Sequence, residues 1–283
     1  LGVQLDGQAR RQLLGNNDRE LIEAVGTLNT FDFDLLDFNA ACPAPKVTRK
    51  GQGAALLRDP ATFSRLLRLI TAESVVPVTV KLRTGWDENS INAKEMALRA
   101  EDAGVAAIFI HGRTKVQGYG GRVDHASIRL VKEAVSIPVI ASGDNLSPPA
   151  IRKTFSDTLC DGVAIARGAL GNPWIFRETD RFLRGRWCNE QPVLEERIGI
   201  MRSHIALLAD HYGDSRAVGI FHKFFIWYTR GLSRSKSLRD RAFRSDTLDD
   251  LVAVVDELAL RYDSSRLPET GFYEGSDGMG SGE

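Results

Sequence analysis

The residues that follow the predicted buried strands are rich in polar and charged side chains. They are Gln4, Asn39, Cys42, Lys81, Arg83, His111, Arg113, Ser142, Gly143, Asp144, Ala166 and Arg167. The carboxyl ends of parallel strands meet at one edge of a sheet, so these residues are expected to gather there. A structural scaffold gains little from grouping charges that repel one another and lose water. We therefore interpret the group as a functional site.

Cys42 lies in the segment Asn39-Ala40-Ala41-Cys42-Pro43, just past one of these strands. Pro43 fixes the backbone after the thiol. Three cations follow it, Lys46, Arg49 and Lys50, and a thiol that acts as a general acid must carry its proton. The alternative is a half-buried loop cysteine without a role.

The last two predicted strands are followed by Ser142-Gly143-Asp144 and by Ala166-Arg167-Gly168. In barrel folds this pair of loops often binds a phosphate group through backbone N–H groups. The pairing favours a phosphate site over two ordinary turns.

Lys81 and His111 end neighbouring predicted strands. Lys81 follows Val78-Thr79-Val80, so its stem is expected to be buried and its ammonium to require an anionic ligand or an electron-rich ring. Lone lysines and histidines at such positions are usually solvated or structural. Two of them beside a phosphate site favour a functional role.

Apolar segments alternate with helical patterns through the first part of the chain. The predicted strands are 2–5, 35–39, 76–82, 107–111, 137–142 and 162–166, and the predicted helices are 18–28, 60–72, 90–103, 125–134 and 147–154. This alternation predicts a parallel α/β sheet, either a TIM (β/α)8-type barrel or an open doubly wound sheet. Six strands rather than eight favour a barrel without its first two units.

From residue 181 the pattern is helical, with predicted helices at 195–212, 216–230 and 247–262. We predict three parts: a barrel domain over 1–180, a small all-helical domain over 181–268, and a disordered Gly- and Ser-rich tail over 269–283.

Charge is balanced overall but unevenly distributed. The chain has 37 basic and 37 acidic residues, yet residues 216–244 carry eight basic residues against one acid, and residues 245–283 carry ten acids against two arginines. The basic block also contains six aromatic residues, a combination that suits RNA. The alternative is a helix with core aromatics and solvated charges.

Composition excludes several classes of protein. With 43% hydrophobic and 26% charged residues the chain has a globular composition, and no apolar run reaches the length of a membrane span. Three widely spaced cysteines argue against a disulfide framework or a zinc cluster. We expect a cytoplasmic, monomeric protein with no metal and no membrane partner.

Taken together, the motifs resemble those of the tRNA-dihydrouridine synthases, in particular the bacterial B-type branch. The matching segments are 39–43, 51–57, 80–86, 111–114, 118–119, 167–174 and, further on, His222-Lys223, Trp227-Tyr228 and Gly231-Leu232. The resemblance covers about residues 3–258, and nothing in the sequence corresponds to the first two βα units of the family.

The resemblance implies a TIM barrel that holds FMN, followed by a helical tRNA-binding domain. It implies that NADPH reduces the flavin, that specific uridines of tRNA become 5,6-dihydrouridine, and that Cys42 donates the proton to C5. The implied FMN contacts are Gln4, Lys81 and His111 at the ring or ribityl chain, with Ser142, Gly143, Asp144, Ala166 and Arg167 at the phosphate end. The implied uridine pocket contains Asn39, Arg83 and Arg113.

Two other functions are compatible with the sequence. One is a non-catalytic tRNA-binding relative, suggested by the missing first units. The other is an FMN barrel that acts on a small dihydropyrimidine, against which the basic and aromatic helical part argues.

Overall fold

The computed structural model describes residues 9–186 and 192–261. These residues form two compact units, one of residues 9–145 and 150–165, the other of residues 146–149, 166–186 and 192–261. The predicted strand at 2–5 and the predicted tail at 269–283 lie outside the described residues. No helix within the described ranges is both long and apolar enough to cross a membrane.

One parallel sheet lies at the centre of the first unit. Its strands are β1 (Arg10–Leu13), β2 (Leu35–Asn39), β3 (Val78–Arg83), β4 (Ala107–His111), β5 (Val139–Ser142) and β6 (Gly162–Ala164). They lie side by side in sequence order, and every neighbouring pair is parallel. In a doubly wound sheet the strands are also parallel, but their spatial order reverses at a switch point and no longer follows the sequence. The order confirms the TIM (β/α)8-type fold, with six strands in the described residues.

Helices connect the strands of this unit. They are α1 (Asp18–Leu28), α2 (Pro45–Thr48), α3 (Pro60–Glu73), α4 (Ala93–Asp102), α5 (His125–Ala134) and α6 (Pro148–Thr158), with a 3₁₀ helix at Gly53–Arg58. Several begin at side-chain caps: Asn17, Asp59 and Asp124 each accept a hydrogen bond from a backbone N–H three residues on, at 3.0 to 3.1 Å. Such caps satisfy N–H groups that have no partner within the helix.

The strands separate an apolar face from a polar one. Phe38, Val80 and Ile108 are fully buried in the core that the helices cover. Their sequence neighbours, among them Asn39 and Lys81, project to the opposite face because side chains alternate along a strand. Burial of each large apolar side chain contributes about 1.5–3 kcal/mol, so the apolar face fixes which residues the other face presents.

The second unit is helical within the described residues. It contains a 3₁₀ turn at Arg167–Ala169 and the helices α7 (Ile175–Leu183), α8 (Leu194–Tyr212), α9 (Asp214–Tyr228), α10 (Lys236–Phe243) and α11 (Leu248–Arg261). Its core includes Met201, Phe221, Phe225, Leu251 and Val255.

The division between the units follows Ile165, whereas the sequence placed the domain boundary after residue 180. Trp174 explains the difference, because its buried ring packs into the helical core with Leu194 and Ile198. The segment 166–180 therefore groups with the helices rather than with the sheet.

Candidate active site

The strand register places five of the twelve predicted site residues in two rows. In one row Asn39 lies beside Lys81, and in the next Arg83, His111 and Ser142 lie side by side on β3, β4 and β5. All five are at or near the carboxyl ends of their strands. The sheet thus places at one edge residues that are more than 100 positions apart in sequence.

Cys42 lies in a tight loop held by Asn39. The side-chain oxygen Oδ1 of Asn39 accepts hydrogen bonds from the backbone N–H groups of Ala41 and Cys42, both at 3.0 Å. The carbonyl of Cys42 accepts from the N–H of Ala54 at 3.1 Å. Cys42 is a free, partly accessible thiol, so a substrate can approach it.

Gly53 makes this close folding possible. A Cβ on Gly53 would lie 2.8 Å from the carbonyl oxygen of Cys42 and 3.0 Å from its Cβ, and the residue has φ +60°. Both the space and the backbone conformation therefore require glycine.

Arg83 braces the loops around the site. Its Nε donates to the carbonyl of Ala41 at 2.8 Å, and its Nη1 donates to the carbonyls of Thr114 and Gly118, both at 2.9 Å. Burial lowers the pKa of Arg83, an effect partly offset by Tyr119. These contacts tie the Cys42 loop to the loop after β4. The resemblance implied a different role for Arg83, that of lining the uridine pocket.

Arg113, which is buried, forms an ion pair with the partly exposed Asp144. Two guanidinium nitrogens of Arg113, which is 2% exposed, donate to the two carboxylate oxygens of Asp144 at 2.8 and 2.6 Å. The same guanidinium donates to the carbonyls of Gly120 and Gly121. These bonds hold the 112–121 loop in place. From the sequence, Arg113 was expected to contact uridine and Asp144 the phosphate of FMN, and here the two side chains bond to each other.

Lys81 and His111 present polar groups that the described residues leave unpaired. No hydrogen bond or ion pair within the described part of the chain engages the Lys81 ammonium. Burial lowers the pKa of Lys81, and Asp37 opposes that shift. The Nε2 atom of His111 is buried without a hydrogen-bond partner.

His111 is held as a neutral imidazole. Burial, reinforced by the nearby charges of Arg83, Lys81 and Arg113, lowers the pKa of His111 to about 3. Its ring lies 6.1 Å from the ring of Tyr119, which is 64% exposed. A neutral imidazole beside an unpaired ammonium is suited to bind a polar ligand through hydrogen bonds.

Gln12 lies beside the candidate site and is not among the residues predicted from the sequence. It lies on β1 opposite Asp37, and its Oε1 accepts a hydrogen bond from Asn39 Nδ2 at 3.0 Å. Gln4, the predicted glutamine, lies outside the described residues. One signal could have found Gln12: a strand at 10–13 leads directly into the Asn17 cap of α1, whereas a strand at 2–5 leaves a long connection.

The other residues predicted to bind the FMN phosphate are divided between the two units. Gly143 packs closely on Val123, since a Cβ there would lie 2.8 Å from Cγ2 of that valine. Ala166 and Arg167 belong to the second unit, where Arg167 begins the 3₁₀ turn.

Residues 4–262 match the family model described as dihydrouridine synthase. The chain belongs to the dihydrouridine synthase family. It is 39% identical over 237 residues to the tRNA-dihydrouridine synthase B of Pseudomonas putida, which covers 83% of this chain and 70% of the relative. It is 38% identical over 245 residues to the protein of that name from Pseudomonas aeruginosa, covering 86% and 74%. A probable tRNA-dihydrouridine synthase of Rickettsia bellii is 34% identical over 253 residues, covering 89% and 77%.

Family membership confirms the resemblance and the enzyme class expected from the sequence motifs. This member of the dihydrouridine synthase family therefore places its motif residues Asn39, Cys42, Lys81 and His111 at the carboxyl edge of a TIM-type sheet.

Proposed function

We propose that this dihydrouridine synthase reduces uridines of tRNA to 5,6-dihydrouridine, with FMN as its cofactor, NADPH as its reductant and Cys42 as its proton donor. The observation that carries the proposal is the juxtaposition of a partly accessible thiol with two unpaired polar groups, on Lys81 and His111, at one strand edge.

The residues at this edge fit a flavin. His111 Nε2 is buried without a partner, and a ring nitrogen or carbonyl of the isoalloxazine would supply one. The Lys81 ammonium favours an electron-rich ring with developing negative charge. Among the accessible glutamines we assign Gln12, beside Asn39, to the contact expected of Gln4. In the first unit, Ser142 and Gly143 would hold the phosphate end.

The protein's part in the reaction is orientation and proton transfer. Reduced FMN, when bound, supplies the hydride for C6 of the uracil ring. The Cys42 thiol donates its proton to C5, so that the C5–C6 double bond becomes a single bond and a thiolate remains to be protonated from solvent. Asn39 and Gly53 hold the loop that presents this thiol.

Two cations of the first unit lie against one tryptophan ring, an arrangement that supports an RNA substrate. The guanidinium carbon of Arg58 lies 4.9 Å from the centre of the Trp86 ring, and the Lys115 ammonium lies 4.5 Å from it. Neither cation comes within 4 Å of a carboxylate of the described residues. Two like charges on one indole are suited to a phosphate between them.

The second unit carries a groove with similar chemistry. It has a volume of about 330 Å³ and is lined on α9 by Arg216, Lys223, Phe224 and Trp227, among other residues. Phe221, Phe225 and Tyr228 of the same helix are buried in the core. Five of the six aromatic residues of the basic block thus divide between core and groove, whereas Phe243 is exposed. The two in the groove support the proposal that this unit binds tRNA.

The test replaces Cys42 with alanine and measures dihydrouridine in tRNA by mass spectrometry, with flavin content and NADPH-dependent flavin reduction measured in parallel. We expect at least roughly a hundredfold loss of product with flavin content and flavin reduction unchanged, because only the proton source is removed. Cys160→Ala, at a buried cysteine of the same unit, is the matched control and should retain activity. Full activity of flavin-loaded Cys42→Ala would refute the role of Cys42. A protein that contains no flavin would refute the proposed function.

A further inference from the structure

A chain of hydrogen bonds connects a buried carboxylate to the Cys42 loop. Gln12 Nε2 donates to Asp37 Oδ2 at 2.6 Å, and Gln12 Oε1 accepts from Asn39 Nδ2 at 3.0 Å. Asn39 Oδ1 then accepts from the backbone N–H groups of Ala41 and Cys42. This series of hydrogen bonds crosses from β1 to β2 and ends at Cys42, the residue proposed to donate the proton.

The two ends of this chain force the orientation of the two amides between them. An ionised carboxylate can only accept, so Gln12 must turn its NH₂ group to Asp37 and its carbonyl to Asn39. A backbone N–H can only donate, so Asn39 must turn its carbonyl to Cys42 and its NH₂ group to Gln12. Both requirements are met by the same arrangement, and reversing either amide would place like groups against each other.

The position of the Asp37 carboxylate is fixed by its own contacts, so it can determine the orientation of the Gln12 amide. It is 0% exposed, its Oδ2 lies 2.6 Å from a guanidinium nitrogen of Arg10, and its Oδ1 accepts from the hydroxyl of Thr79 at 2.8 Å. A guanidinium, a hydroxyl and an amide NH₂ group, all donors, hold its two oxygens in place. By contrast, Gln12 is exposed, so its own surroundings do not determine its orientation.

We propose that Asp37 is a positioning residue for Cys42: by orienting the amides of Gln12 and Asn39, it holds the backbone of the thiol-bearing loop. This inference rests on the proposed function of Cys42, but the geometry of the loop can be tested separately from the reaction. Asp37 has no contact with Cys42 itself, and it reaches the Cys42 loop through Gln12 and Asn39.

The experiment exchanges the hydrogen-bond acceptor, Asp37, and the donor, Gln12. Gln12→Glu places a second carboxylate against Asp37, so the side chain at position 12 is displaced from Asn39. In the double variant Asp37→Asn/Gln12→Glu, the new asparagine donates its NH₂ group to the new carboxylate. That carboxylate again accepts from Asn39, and it replaces Asp37 as the acceptor for Arg10, two residues away on the same strand. The exchange restores the original polarity with the same total charge.

Two measurements are made on the flavin-loaded proteins: dihydrouridine formation per bound flavin, and hydrogen exchange of the backbone amides of Ala41 and Cys42. We expect Gln12→Glu to lower turnover by about tenfold and to accelerate exchange of both amides, and the double variant to return the exchange rates of both amides to within about threefold of the wild-type values. A double variant whose two amides exchange as fast as those of Gln12→Glu, or a Gln12→Glu variant identical to wild type, would overturn the inference.

A second cycle covers the case in which Gln12→Glu does not fold. Gln12→Met removes the connection without adding a charge. If Asp37 acts through Gln12, then Asp37→Asn accelerates exchange at Cys42 in the wild-type background but not in the Gln12→Met background. Equal effects in the two backgrounds would show a purely structural role for Asp37. Because amide exchange does not require turnover, failure of the proposed reaction would leave this result interpretable.

Discussion

Gly53 determines how closely the chain can fold around Cys42. Its φ of +60° excludes most side chains, and a Cβ at this position would lie only 2.8 Å from the carbonyl oxygen of Cys42. The loop that presents the thiol therefore depends on a glycine further along the chain, as well as on Asn39 before it.

We expect Gly53→Ala to lower the free energy of unfolding by about 1–3 kcal/mol and to reduce dihydrouridine formation, because the loop must move to admit the methyl group. Denaturant unfolding and product measurement test this. Gly26→Ala is the control: in α1 the nearest atom to its new Cβ is Glu73 Oε1 at 3.8 Å, so this change should stabilise the protein by up to about 1 kcal/mol. A Gly53→Ala variant equal to wild type in both measurements would contradict the expectation.

Because His111 is neutral in the folded protein, it makes the free energy of unfolding depend on pH. The pKa of His111 is about 3 in the folded protein, against an ordinary value of 6.5. Between these values the unfolded chain binds more protons than the folded protein, so the free energy of unfolding falls as the pH falls below about 6.5. At pH 5 the loss from this residue is about 2 kcal/mol.

We expect His111→Gln to lose about 2 kcal/mol less stability than wild type between pH 7 and pH 5, because glutamine does not titrate. Urea unfolding at the two pH values measures the difference. His211→Gln, at an exposed histidine of α8, should follow the wild-type dependence. If the wild type and His111→Gln lose stability in parallel, His111 is not buried as a neutral group.

At the scale of elements, the loop of residues 112–121 depends on Arg113. Its guanidinium makes two bonds to Asp144 after β5 and further bonds to the carbonyls of Gly120 and Gly121. Lysine carries the same charge but lacks the planar fork that reaches all four acceptors. The loop is thus held by the geometry of one side chain as well as by its charge.

We expect Arg113→Lys to lower the free energy of unfolding by about 3 kcal/mol and to accelerate hydrogen exchange throughout residues 112–121. Arg129→Lys provides the comparison, since Arg129 forms an exposed pair with Glu133 one turn away on α5. That change should alter stability by no more than about 0.5 kcal/mol. Equal effects of the two substitutions would show that the Arg113 contacts do not hold the loop.

At the scale of the first unit, cations are distributed in two ways. On the outer helices they pair with carboxylates, as in Arg19 with Glu23 and Arg68 with Asp102. The segment 43–58 beside the site has four cations and no acid, and none of the four pairs with a carboxylate of the described residues. The unneutralised charge therefore lies at the edge that presents Cys42.

We expect Arg58→Ala/Lys115→Ala to weaken tRNA binding and to reduce the slope of log affinity against log salt concentration by about 2, since each lost phosphate contact lowers the slope by about 1. Binding is measured by filter retention over a range of salt concentrations. Arg68→Ala, which removes a paired cation on the outer face, should leave the slope unchanged. An unchanged slope for the double variant would remove this surface from the RNA interface.

The sequence alone predicted much of this architecture because apolar periodicity reports burial. The helices at 18–28 and 125–134 and the strands at 35–39 and 107–111 have the predicted bounds. Their helix caps and continuous apolar runs are local signals. The motif residues at the strand ends, Cys42, Lys81 and His111 among them, were found for the same reason.

The tertiary structure decided what local signals do not contain. Strand β1, Arg10–Leu13, is polar and largely exposed, so it has no apolar pattern, and its pairing with β2 is what defines it as a strand. The helix Lys236–Phe243 was likewise missed within the basic block. The contacts of Arg83 and Arg113 with backbone carbonyls, and the orientation of Gln12 between Asp37 and Asn39, depend on the register of strands and loops that are distant in sequence. Residue type determined which groups were available for chemistry, whereas hydrogen-bond geometry between separate elements determined which of them remain free to act.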